Sequence, residues 1–82
     1  MRIAAAALKR GYTVEQIEHA VVHHTDEFRD QGDHALALLV GPTPSGELLE
    51  IGVVLAGDGI TIDVVAHVMP ARSKYLRKKN PR

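Results

Sequence analysis

Glu50, His67, Arg72, Lys74, Tyr75 and Arg77 are the side chains of this 82-residue chain suited to moving protons and binding anions. Two apolar runs, 47–56 and 60–70, flank Gly57-Asp58-Gly59. An Asp-Gly pair in that setting predicts a two-residue hairpin turn with both central residues at positive φ. With Asp58 and Gly59 as the turn, Leu55 faces Ile62, Val53 faces Val64, Ile51 faces Ala66 and Glu50 faces His67. A carboxylate beside an imidazole either holds the ring in one tautomer or raises its pKa so that it donates a proton near neutrality. Arg72, Lys74 and Arg77 follow closely enough to bind phosphate oxygens, and Tyr75 can stack on a base or donate a proton. Together these are the parts of a phosphodiester-cleaving site for RNA, where a 2′-hydroxyl attacks in line and side chains move protons and neutralise charge. The plainer reading of Glu50 and His67 is a surface cross-strand pair worth about 0.2–1 kcal/mol.

His19 and His23 have the i, i+4 spacing that can chelate zinc. The sequence offers no evident third ligand, and Glu15 and Glu18 mark that face as charged and solvated, so neither a metal nor another cofactor is expected. A glycine-rich phosphate loop, a Gly-x-Ser-x-Gly elbow and a cysteine nucleophile are all missing. Tyr12, Phe28 and Tyr75 are the only aromatic residues, which argues against a broad base-stacking platform.

Arg2 to Arg10 contains four consecutive alanines and ends at Gly11, which predicts a first helix. Thr13 with Gln16 reads as a capping box opening a second helix over 14–24, whose inward stripe is Val14, Ile17, Ala20, Val21 and His24. Thr25 to Asp33 is either a loop or a short charged edge strand. His34 to Gly41 is a strand with Leu36, Leu38 and Val40 on one face and Ala35, Ala37 and Leu39 on the other. Residues 42–46 are a loop leading into the hairpin, and Pro70 ends its second strand. In the hairpin, Leu49, Ile51, Val53, Leu55, Ile60, Ile62, Val64, Ala66 and Val68 share a core face. Ala71 to Lys79 can form a short basic helix. The expected fold is α+β: two N-terminal helices packed on a three- to four-stranded antiparallel sheet, with a short C-terminal helix or basic tail.

One domain spanning 1–82 accounts for the length. No apolar run approaches the ~18 residues of a membrane span, and Met1 to Leu8 is too short for a signal peptide, so the expected location is cytoplasmic, with no membrane partner. The net charge of zero is unevenly placed: residues 1–71 carry four basic and ten acidic side chains, whereas 72–82 carry six basic ones and no acid. Such a cationic end is a solvated tail, a clamp onto the acidic body or a polyanion contact.

Three stretches carry a family resemblance: Arg10-Gly11-Tyr12-Thr13-Val14-Glu15-Gln16-Ile17, then Leu39-Val40-Gly41-Pro42 with Gly46-Glu47-Leu48-Leu49-Glu50-Ile51, then Ala66-His67-Val68-Met69-Pro70-Ala71-Arg72. They resemble small actinobacterial toxins similar to the BrnT-like branch of the RelE/ParE superfamily of type II toxin–antitoxin systems. The resemblance implies two N-terminal helices on a twisted antiparallel sheet and a metal-independent endoribonuclease that cleaves RNA, ribosome-associated mRNA included. It also implies a cognate antitoxin protein as partner. Carried onto this chain, the catalytic set is His67, Glu50, Arg72 and Tyr75, with Lys74 and Arg77 binding substrate. The chain departs from the pattern in its neutral net charge and in the Ala4-Ala5-Ala6-Ala7 run. The alternative expectation is a non-catalytic interaction module, a homodimer or partner binder, using Leu39, Leu48, Val54, Val65 and Met69 on the open face of the sheet.

Overall fold

The computed structural model describes residues 1–76. It contains a five-stranded mixed sheet: β1 (Arg2–Ile3), β2 (Asp26–Arg29), β3 (Leu36–Pro42), β4 (Leu48–Leu55) and β5 (Ile62–Pro70), in spatial order β1-β5-β4-β3-β2. One longer helix, α1 (Val14–Val22), packs on one face, and a single-turn helix, α2 (Ser73–Leu76), follows β5. The expected pair of N-terminal helices is therefore corrected to one helix, and the sheet is larger than expected and not purely antiparallel.

The difference lies at the N-terminus. Arg2 and Ile3 pair in parallel with Val64 and Val65 on the outer edge of β5, and the Ala4 N–H donates to the Val65 carbonyl at 2.9 Å. Only Ala5–Leu8 then turns, as a 3-10 helix with no side-chain cap at Ala4. Alanine favours a helix, but a run this short without a cap is marginal alone. Pairing with an open strand edge, and the full burial of Ala7, outweigh that propensity.

α1 forms where its local signals place it. The Thr13 hydroxyl accepts the Gln16 N–H at 3.1 Å while the Gln16 side chain accepts the Thr13 N–H at 2.8 Å, which completes the capping box. Ile17, Ala20 and Val21 are buried against the sheet, whereas Val14 is 45% exposed and His24 is also outside the core. Thr13→Ala is expected to cost about 1 kcal/mol, read as a lower urea midpoint with an unchanged slope.

Close contact with β3 needs Gly41. A side-chain Cβ there would lie 2.1 Å from the Ala20 carbonyl oxygen and 2.8 Å from His24 Cα, so helix and strand touch backbone to backbone. Ala37 and Leu39 share this inner face with Leu49, Ile51 and Val53, so Leu39 belongs to the core rather than to the open face.

The hairpin follows the expected register only near its turn. The Gly59 N–H donates to the Ala56 carbonyl at 2.9 Å and Gly59 sits at φ +71°, so Gly57 and Asp58 are the central residues instead of Asp58 and Gly59. The Asp58 carboxylate accepts the Ile60 and Thr61 N–H groups at 2.8 Å each and the Thr61 hydroxyl at 2.6 Å. These bonds, that from the Thr61 hydroxyl first, lower its pKa to about 2. Leu55 faces Ile62 as expected, but Val54 faces Val64, Val53 faces Val65 and Gly52 faces His67, with Asp63 and Ala66 left over as bulges. Each bulge restarts the alternation, so the inward residues of β5 are Ile62, Val65 and Val68, three apart. Val65 thus leaves the open face for the core, and Ile60 is 78% exposed.

Candidate functional site

The face of the sheet opposite α1 is built from rows of residues that lie side by side across the strands. One row is Phe28, Leu38, Gly52 and His67; the next is Asp26, Val40, Glu50 and Met69. Glu50 therefore faces Met69 and not His67. The two bulges shift the register by two residues, which keeps Glu50 and His67 on one face, but as diagonal neighbours instead of a facing pair.

Glu50 is fully buried, at 0% exposure, and its partner is Arg72. The guanidinium meets it side-on, Nε to Oε1 at 3.0 Å and Nη2 to Oε2 at 2.8 Å, and the Arg72 backbone N–H adds a third bond to Oε1 at 3.1 Å. Burial pushes the Glu50 carboxyl up, but the Arg72 bonds and the charges of Arg72 and His67 outweigh it and leave the pKa below its ordinary value of 4.5. The carboxylate is ionised at neutral pH and its lone pairs are committed. Its geometry suits an anchor and does not suit a general base. The same pairing raises the Arg72 pKa, and the Arg72 side chain stays 49% exposed with Nη1 outside the fork.

From Arg72 the chain turns into α2 and crosses the outer face toward β2. Tyr75 packs on Phe28 with ring centroids 5.0 Å apart, and the Arg72 and Lys74 cations lie 5.4 and 5.0 Å from the Tyr75 centroid. Between this aromatic pair and β5 opens a groove of about 350 Å³ lined by Phe28, Leu38, Gly52, Ala66, His67 and Tyr75 among others. The exposed His67 ring leans over Gly52, the one position of its row without a side chain.

No protein-family model, curated protein or solved structure matches this chain.

Of the sequence-derived candidates, Glu50, His67, Arg72, Lys74 and Tyr75 come together on the outer face. Arg77 lies outside the described residues. The small residues bordering the groove are Ala37, whose side chain belongs to the core, Gly52 and Ala66. Phe28 was missed; its signal was a lone large aromatic in an otherwise charged stretch. The histidines of α1 are held elsewhere: His19 Nδ1 donates to the Pro42 carbonyl at 2.8 Å, and just past the helix His24 Nδ1 donates to the Val21 carbonyl at 2.7 Å. Among the described residues, no group of three or more His, Asp or Glu is arranged to hold a metal ion. No helix among them is long and apolar enough to cross a membrane.

Proposed function

We propose that the outer face is the site of a metal-independent endoribonuclease, the toxin of a type II toxin–antitoxin pair of the BrnT-like kind. The observation that carries this reading is an arginine locked by a buried carboxylate and held against Tyr75, whose ring joins Phe28 and an accessible histidine in lining one groove. Arg72, held by Glu50, presents its free edge to a phosphate oxygen. His67 donates a proton to the departing 5′-oxygen as the 2′-hydroxyl attacks phosphorus in line and gives its own proton to water. The products are a 2′,3′-cyclic phosphate and a 5′-hydroxyl. Tyr75 carries a base, and Lys74 adds positive charge at the rim.

The purified chain is expected to cut RNA in EDTA, and His67→Ala combined with Arg72→Ala is expected to abolish cutting. Retention of full activity by that double variant would refute the site.

A second reading, a non-catalytic partner-binding module, is favoured by one feature: Leu36, Leu48 and Leu76 are 38%, 37% and 40% exposed. It requires the chain to self-associate or to bind a protein partner without cleaving RNA. Sedimentation as a strict monomer, together with RNA cleavage, would remove its support.

A further inference from the structure

We propose that Gly52 is a positioning residue: its missing side chain is the seat that holds the His67 imidazole against β4 at the floor of the groove. An ideal Cβ on Gly52 would lie 2.4 Å from His67 Cε1, 2.5 Å from Nδ1 and 3.2 Å from Nε2. Two of these distances are far inside van der Waals contact, so the ring occupies the volume that any other residue would fill with its own side chain. The Nδ1–Cε1 edge rests on the strand, and Nε2 is the ring nitrogen set farther from it.

Backbone conformation does not require glycine here. Gly52 lies inside β4 and is absent from the left-handed glycines, which are Gly11, Gly46 and Gly59. The alanine backbone is therefore admissible, and the three nearest atoms a Cβ would meet all belong to the His67 ring. This contrasts with Gly41, where the obstacles are backbone atoms of Ala20 and His24. An exposed imidazole on a strand ordinarily samples more than one χ1 rotamer. The seat beside Leu38 restricts that freedom and keeps the ring near the Glu50–Arg72 pair, close enough for its charge to act on Glu50. A proton donor misplaced by about 1 Å loses on the order of 100-fold in rate.

The role in catalysis rests on the ribonuclease reading, whereas the seat itself does not, and the test separates the two. In the intact chain, scalar couplings are expected to show His67 in a single χ1 rotamer, with an NOE from its Hε1 to the Gly52 α-protons. Gly52→Ala should average the rotamer while moving the melting temperature by only a few degrees. With RNA as substrate it should lower kcat about 100-fold and leave KM within about threefold, because the phosphate-binding Arg72 is untouched. Rotamer averaging of His67 in the unsubstituted chain, or unchanged kcat in Gly52→Ala, overturns the proposal. Should Gly52→Ala fail to fold, Gly52→Ala with His67→Ala decides: recovery of the fold on removing the ring supports the seat, and continued failure assigns Gly52 to the backbone instead. An unsubstituted chain that cuts no RNA counts against the ribonuclease, while the couplings and the NOE still judge the seat.

Discussion

Gly41→Ala is expected to destabilise the protein by about 4 kcal/mol and to lower its melting temperature by roughly 20 °C. The added methyl would meet the Ala20 carbonyl oxygen at 2.1 Å, His24 Cα at 2.8 Å and the Ala20 carbonyl carbon at 3.0 Å. Those are main-chain atoms of α1 and its C-terminal extension, so no rotamer change relieves the clash. The helix must lift from the sheet as a body, and Ile17, Ala20 and Val21, all buried, lose contact together. Overpacking commonly costs about 1–3 kcal/mol, and the rigid obstacle places this case above that range. A domain of this size has a total stability of roughly 4–12 kcal/mol, so a third or more of it is lost. Thermal melting followed by far-UV circular dichroism checks it; a midpoint within about 3 °C of the parent would mean that helix and strand are not in backbone contact.

Arg72→Ala is expected to lower the urea midpoint at neutral pH and to reverse the pH dependence of stability in the acid range. Breaking a buried ion pair commonly costs about 3–5 kcal/mol. Arg72 is 49% exposed, so water screens its side of the pair and the loss falls below that range. In the parent, the Glu50 pKa is lowered on folding, so its contribution is present above the unfolded value, ordinarily 4.5, and is lost as pH falls through the folded value. In Arg72→Ala the burial of Glu50, which raises its pKa, is no longer offset by the Arg72 side-chain bonds and charge. The folded pKa then lies above the unfolded one, and stability is lost as pH rises through it. The gap between parent and variant should be widest at neutral pH and close on acidification. Glu50→Gln removes the titrating group and should flatten this dependence. Urea unfolding of all three proteins between pH 3 and pH 7 reads the effect, and parallel curves for parent and Arg72→Ala would show that the fork is not formed.

The parts of the fold legible in the sequence are those fixed by local chemistry. Thr13 and Gln16 satisfy the first helical N–H groups whatever lies around them, so α1 starts where the pattern places it. Pro42 and Gly46 mark the return from β3 to β4 for the same reason. β1 was hidden because two residues carry no periodicity, and their partner, Val64 and Val65, is more than sixty positions away. The bulges at Asp63 and Ala66 defeat a strict alternation, and their trace is the three-residue spacing of Ile62, Val65 and Val68. Glu50 read as half of a surface pair because nothing near it in the chain announces burial; the guanidinium that allows it comes 22 positions later. Gly52 was visible only as a small residue, since its use depends on where the His67 ring falls.

On the proposed reading, the outer face of the sheet receives RNA. The direct measurement is a two-dimensional amide NMR titration with an all-2′-deoxy oligonucleotide, which has the phosphates and bases of a substrate but lacks the attacking hydroxyl. The expected result is shift changes confined to Phe28, Leu38, Gly52, His67, Arg72 and Tyr75, fading as salt is raised. Changes centred on α1, or no changes at low salt, would show that RNA does not bind this face.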